Sequence, residues 1–201
     1  FMKRILCSFI LVACAAAAAA QSLTPAEREK AANYLESTKQ GVLKATSGLS
    51  EAQWNFKPGP DRWSVAEVTE HIAAAEDLLR GTIEDQVLKA PSRPAGEDVQ
   101  ALDAMVLKAI TDRSKKAQAP EPLKPTNRFG SPEGSLKHFS ESREKTVSLL
   151  KSRQDLREHA TDSPLGRKLD AYEWILFIGA HSERHTKQIE EVKADPNFPK
   201  K

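Results

Sequence analysis

An all-α protein is the fold class this sequence predicts: a four-helix bundle with a long crossover that contains a short extra helix. Three observations point to it. Four long stretches repeat their apolar residues at three- and four-residue intervals, the period of a helix with one buried face. Helix-start signals stand in front of most of them. The regular apolar/polar alternation of half-buried strands is missing, and aromatic residues make up only 6% of the 201 residues.

Residues 1–20 read as an export leader that lies outside the fold. Met2-Lys3-Arg4 gives a basic start, Ile5 to Val12 an apolar run, and Ala15 to Ala20 small residues before Gln21, which suits cleavage after Ala20. The apolar run is too short to anchor the chain across a bilayer. A second processing route stays open, because Leu11-Val12-Ala13-Cys14 has the pattern of a bacterial lipobox that would lipidate Cys14 and hold the protein on a membrane. The mass of the mature N-terminus distinguishes the two. Cys7 and Cys14 both lie in this segment, so a chain starting at Gln21 has no thiol for a disulfide or a metal. Losing Lys3 and Arg4 takes the basic count from 30 to 28, equal to the 28 acidic residues, which gives no electrostatic case for nucleic acid. The expected address is the periplasm or the medium. Residues 21–201 form one domain with a core at about 23–193, enough chain for a sizeable core.

The first helix opens at the capping box Thr24-Pro25-Ala26-Glu27 and runs to about Thr46. Leu49 to Arg62 carries Trp54, Phe56, Pro58 and Pro60, too apolar for a free linker, and is expected to pack over one end of the bundle. A second capping box, Ser64-Val65-Ala66-Glu67, opens a helix to about Lys89 with Val68, His71, Ile72, Ala75 and Leu79 on one face. Pro91 to Gly130 is the crossover, with the short helix at about Asp98 to Arg113 and a proline-rich, extended tail from Ala117 to Pro125. So long a connection often covers a site. The third long helix starts near Ser131-Pro132-Glu133 and reaches about Arg153, with Leu136, Phe139, Val147 and Leu150 inward. The last runs from about Leu169 to Lys193, with Trp174, Ile178, His181, His185 and Ile189 along its inner stripe.

The chemistry lies in that last stripe. His181 and His185 are four residues apart, about 400° of helix, so both rings leave one face and can hold one metal ion. Two unpaired polar rings on an apolar face would be costly otherwise. A third histidine from a neighbouring helix would complete a three-nitrogen site with a position open for water or substrate. His71 stands on the inner face of its helix. Alone, an inward histidine is ordinarily a hydrogen-bonded core residue. Glu67, one turn before His71, could orient its ring, but its place in the capping box explains it equally well. His138 and His159 fall outside the stripe and are expected at the surface. Glu183 points away from the ligand face, to solvent, and Trp63, Trp174 and Phe177 belong to the core.

The stretch Leu49-Ser50-Glu51-Ala52-Gln53-Trp54, then Pro58, Trp63-Ser64-Val65-Ala66-Glu67-Val68 and His71, resembles the DinB-like (DinB/YfiT) superfamily. Tyr172-Glu173-Trp174, Phe177 and Ala180-His181-Ser182-Glu183-Arg184-His185 resemble that family's closing helix. The likeness runs from about Leu23 to Lys193. It implies a four-helix bundle in which His71, His181 and His185 bind one divalent ion, zinc, nickel or iron. It also implies a metal-dependent hydrolase or transferase acting on a small molecule whose identity the sequence leaves open. An export signal departs from the family members that use cytoplasmic thiols. The alternative is a non-catalytic exported module with a structural or vestigial metal site. Pairing of two copies through an outer helix face remains open.

Overall fold

The structure is a computed structural model that describes residues 22–200. The expected leader, with its cleavage junction at Gln21 and both cysteines, lies outside the described residues. Four long helices form as the periodicity predicts: α1 (Pro25–Thr46), α3 (Val65–Asp85), α5 (Pro132–Ser152) and α6 (Ala171–Lys193), with α2 (Glu51–Asn55) and α4 (Val99–Thr111) shorter. Thr24 with Glu27 and Ser64 with Glu67 close the expected capping boxes on α1 and α3. Such a cap is worth about 1 kcal/mol. No helix among the described residues is long and apolar enough to cross a membrane.

The differences are local. α3 stops at Asp85 and hands over to a 3-10 turn at Val87–Lys89, short of the expected end. A second 3-10 turn, Glu121–Leu123, interrupts the extended tail of the crossover. The segment after α5 folds back as a two-stranded antiparallel hairpin, β1 (Ala160–Asp162) and β2 (Lys168–Asp170), which had no recognisable alternation because each strand has only three residues. Asp170 then caps α6 in a box with Glu173, so the helix opens two residues later than Leu169. On α5, Phe139 and Leu150 point inward as expected, but Leu136 and Val147 are only half-buried; Ser142, Arg143 and Thr146 take the inner face with them.

The core has two apolar ends. Leu35, Ala75, Leu79, Leu150, Trp174 and Ile178 belong to one cluster; Val42, Trp54, Val68, Ile72, Phe139 and Ile189 belong to the other, where α2 packs over the bundle end. The order of these residues along each helix shows that α1 and α6 run one way and α3 and α5 the other. Since α3 and α5 pack side by side and run in the same direction, the chain between them must travel the length of the bundle, which is why the crossover is long. α4 lies on α6 within that crossover.

At mid-bundle, between the two apolar ends, every long helix contributes a buried polar residue: Thr38 from α1, His71 and Glu76 from α3, Arg143 and Thr146 from α5, Ser182 and His185 from α6. A second buried ionic group stands where α6 begins. Arg157 reaches Asp170, Asp103 and Glu27, and Arg93 binds Asp170 and Glu173, so the start of the crossover and the hairpin are both held to α6. Burial, followed by the charge of Asp170, pushes the Glu173 carboxyl up to about 7.

Candidate metal centre

α3 and α6 bring the three predicted histidines together in that polar layer. His71 Nε2 lies 3.2 Å from His181 Nε2 and 3.2 Å from His185 Nε2. Among the described residues, His71, His181 and His185 form the group of metal-ligating side chains whose donor atoms all lie within 4.8 Å of one another. His71 and His185 are 3% and 8% exposed, and His181 is half-buried.

The far side of two rings is pinned. His71 Nδ1 donates to the backbone carbonyl of Leu123 at 2.9 Å, and His185 Nδ1 donates to Gln188 Oε1 at 2.8 Å. A carbonyl oxygen can only accept, so the neutral His71 ring carries its proton on Nδ1 and turns a bare lone pair inward at Nε2. Gln188 does the same for His185, with the amide oriented to suit. Trp63 covers His71, ring centroids 4.9 Å apart.

This donor set fits a cation. Nitrogen donors sit about 2.0–2.1 Å from a tetrahedral ion, which spaces them about 3.3 Å from one another. The observed 3.2 Å separations match, and the bare lone pairs of His71 and His185 repel at this distance unless a positive charge stands between them. Each ring is neutral, three protein ligands leave a fourth position, and no carboxylate joins the group.

Burial lowers the pKa of all three histidines below the usual histidine value; His181 and His185 fall well below it, with the neighbouring rings adding to the effect. Protons compete with metal only where the folded-state nitrogens titrate. As pH falls from about 7.5, the midpoint of metal loss should therefore lie below about 6.5, where an exposed histidine titrates. Competition with a chromophoric chelator across this range checks it; a midpoint of loss at the ordinary histidine value would contradict the burial argument.

Other sequence-marked residues settle into structural roles. Glu67 caps α3 and pairs with Lys57 at 2.9 Å. Trp174 and Phe177 stack in the core. Glu183 is half-exposed and accepts from the Tyr34 hydroxyl at 2.8 Å, so it is not simply solvated. His138 and His159, expected at the surface, are both half-buried: His138 stacks on Phe129 and binds Asp77, and His159 pairs with Ser92 in an isolated bridge. Their partners Phe129, Asp77 and Ser92 come from other segments of the chain, which local periodicity does not reveal.

Several residues about the centre were not legible from spacing. Arg143 Nη2 donates 2.8 Å to Ser182, the residue after His181, and also binds Glu76 through two parallel contacts of 2.8 Å. Gln188, three residues after His185 and so on its face, carried the one local signal that could have been read. Leu123 carried none, because it acts through its main chain.

The family model described as the DinB superfamily matches residues 34–189, which include all three histidines. The chain is 28% identical over 147 residues, 73% of its own length and 86% of the relative's, to the uncharacterized protein YuaE of Bacillus subtilis strain 168. It also superposes on YfiT from Bacillus subtilis, described as a probable metal-dependent hydrolase with an unusual four-helix bundle topology. That match has a TM-score of 0.55 at 16% identity, covers 89% of this chain and 93% of YfiT, and shows the fold. The chain belongs to the DinB superfamily.

Proposed function

We propose that the protein binds one divalent ion through Nε2 of His71, His181 and His185 and acts as an exported metal-dependent hydrolase on a small molecule. One observation carries the reading: three neutral imidazole nitrogens converge at metal spacing, with no fourth protein ligand among the described residues. The description of YfiT, a structure of the same fold, as a probable metal-dependent hydrolase supports it. Imidazole donors suit zinc, nickel and iron alike, so the donor set does not choose among them. Lys3-Arg4 and Ala15 to Ala20 support export, which the mass of the mature N-terminus reads out.

When bound, the ion supplies Lewis acidity, polarising a substrate oxygen or favouring a deprotonated water near neutral pH. The chain's own part is positional. Leu123 and Gln188 hold the tautomers that present Nε2, and Trp63 keeps water off one side of His71. Arg113 braces Gln188 from the end of α4, with Nη1 3.4 Å from Oε1, while binding Glu191 at 2.6 Å. Closure of His71 and His185 from solvent favours a second reading, a non-catalytic module with a structural ion. One titration separates the two. Cobalt-substituted protein should change its visible spectrum when azide is added if the fourth position exchanges, and an unchanged spectrum would leave the structural reading.

A further inference from the structure

The end of α4 and the chain that follows it, residues 110–128, run from α6 to α3 and are fastened at each end by the residue beside a metal-centre histidine. On the α6 side, Arg184, next to His185, donates to the carbonyls of Ile110 (3.2 Å), Asp112 and Lys115 (2.8 Å). On the α3 side, the carboxylate of Glu70, next to His71, accepts the backbone N–H groups of Thr126, Asn127 and Arg128 at 2.7, 2.8 and 3.2 Å. Asn127 has a φ of 60°, a conformation asparagine tolerates, and this turn lets three successive amides face one carboxylate. Between the ends, Leu123 accepts from His71 and Arg113 braces the partner of His185. Most of the segment is otherwise exposed; Leu123 is buried, Ile110 and Ala119 pack partly against the core, and Arg113 binds Glu191.

We propose that residues 112–128 form a metal-linked strap: loading the histidine centre tightens the strap, and loosening the strap weakens the hold on the ion. This rests on the metal-site reading above. An ion on Nε2 draws electron density from the imidazole and makes Nδ1–H a stronger donor, so the His71 bond to the Leu123 carbonyl strengthens on loading. The same holds for His185 and Gln188. In the other direction, the strap selects the tautomer that leaves Nε2 free. Outer-shell partners of this kind are worth about 10–100-fold in metal affinity. Thermodynamic reciprocity requires that the same factor appear in the closing of the strap.

The test is hydrogen exchange of the full chain, with and without zinc sulfate, together with zinc affinity of Glu70→Gln and Arg184→Met. Neither residue is a ligand. Zinc should slow exchange of the Thr126, Asn127 and Arg128 amides by about tenfold. The hairpin amide of Ser163, which bonds to Arg167 at 3.0 Å, should change less, which separates strap closure from general stabilisation. Each variant should bind zinc about tenfold more weakly while keeping its helical circular dichroism. Tight zinc binding with unaltered strap exchange and wild-type affinity in both variants would overturn the strap and leave the metal site standing. Failure of the wild type to take up zinc would sink the metal reading and the strap with it. If a variant unfolds, the wild-type exchange comparison decides alone.

Discussion

Replacing His181 and His185 together with alanine should leave a folded protein that retains no stoichiometric divalent ion. The two residues supply two of the three donors, and His71 alone, held by the Leu123 carbonyl, offers a single nitrogen. The helix should persist, because alanine is the best helix former and α6 keeps its Asp170 cap and its apolar stripe. Some stability is lost with the packing of His185, but two buried polar rings also disappear, which offsets part of that loss. Elemental analysis of tag-free protein, prepared without chelator, reads the result. About one equivalent of zinc, nickel or iron in the wild type and none in the double variant is expected; one equivalent in both would place the metal elsewhere.

The second large effect concerns stability. Arg143 and Glu76 are each about 1% exposed in their side chains and meet through two parallel bonds, and Arg143 also binds Leu35 O, Thr38 and Ser182. Arg143→Met would leave Glu76 buried with the Thr146 hydroxyl as its remaining partner, at 2.9 Å. Breaking a buried pair from one side costs about 3–5 kcal/mol. In a domain of this size that lowers Tm by roughly 10 °C. The double variant Glu76→Leu/Arg143→Met removes both charges and should recover most of the loss. Thermal unfolding of the three proteins checks this. A single variant within about 1 kcal/mol of wild type would mean that Glu76 finds another partner.

The contrast between what local pattern revealed and what it hid is physical. Thr24 with Glu27 and Ser64 with Glu67 act within one turn of chain, so their helix starts were legible. On α5 periodicity finds the inward Phe139 and Leu150, but it counts only apolar side chains, so Arg143 and Thr146, buried polar residues on the same face, stay hidden from it. His181 and His185 announce themselves by spacing; His71 joins them only through its inward face and the family likeness. The Leu123 carbonyl and the Glu70 amide cradle depend on the crossover's path over α3, which no local spacing encodes.

The division of the core into two apolar ends with a polar layer between them also marks the alignment of the helices. Slipping one helix along its neighbours by a single turn, about 5.4 Å, would set Arg143 or Glu76 against Leu and Val side chains and strand its partners. An all-apolar interior would penalise such a slip less, through side-chain fit alone. The same layer that gathers the three histidines therefore acts as an index notch. It rejects near-miss assemblies of the bundle, and the ligand spacing survives because this register lets Arg143 meet Glu76, Thr38 and Ser182 at once.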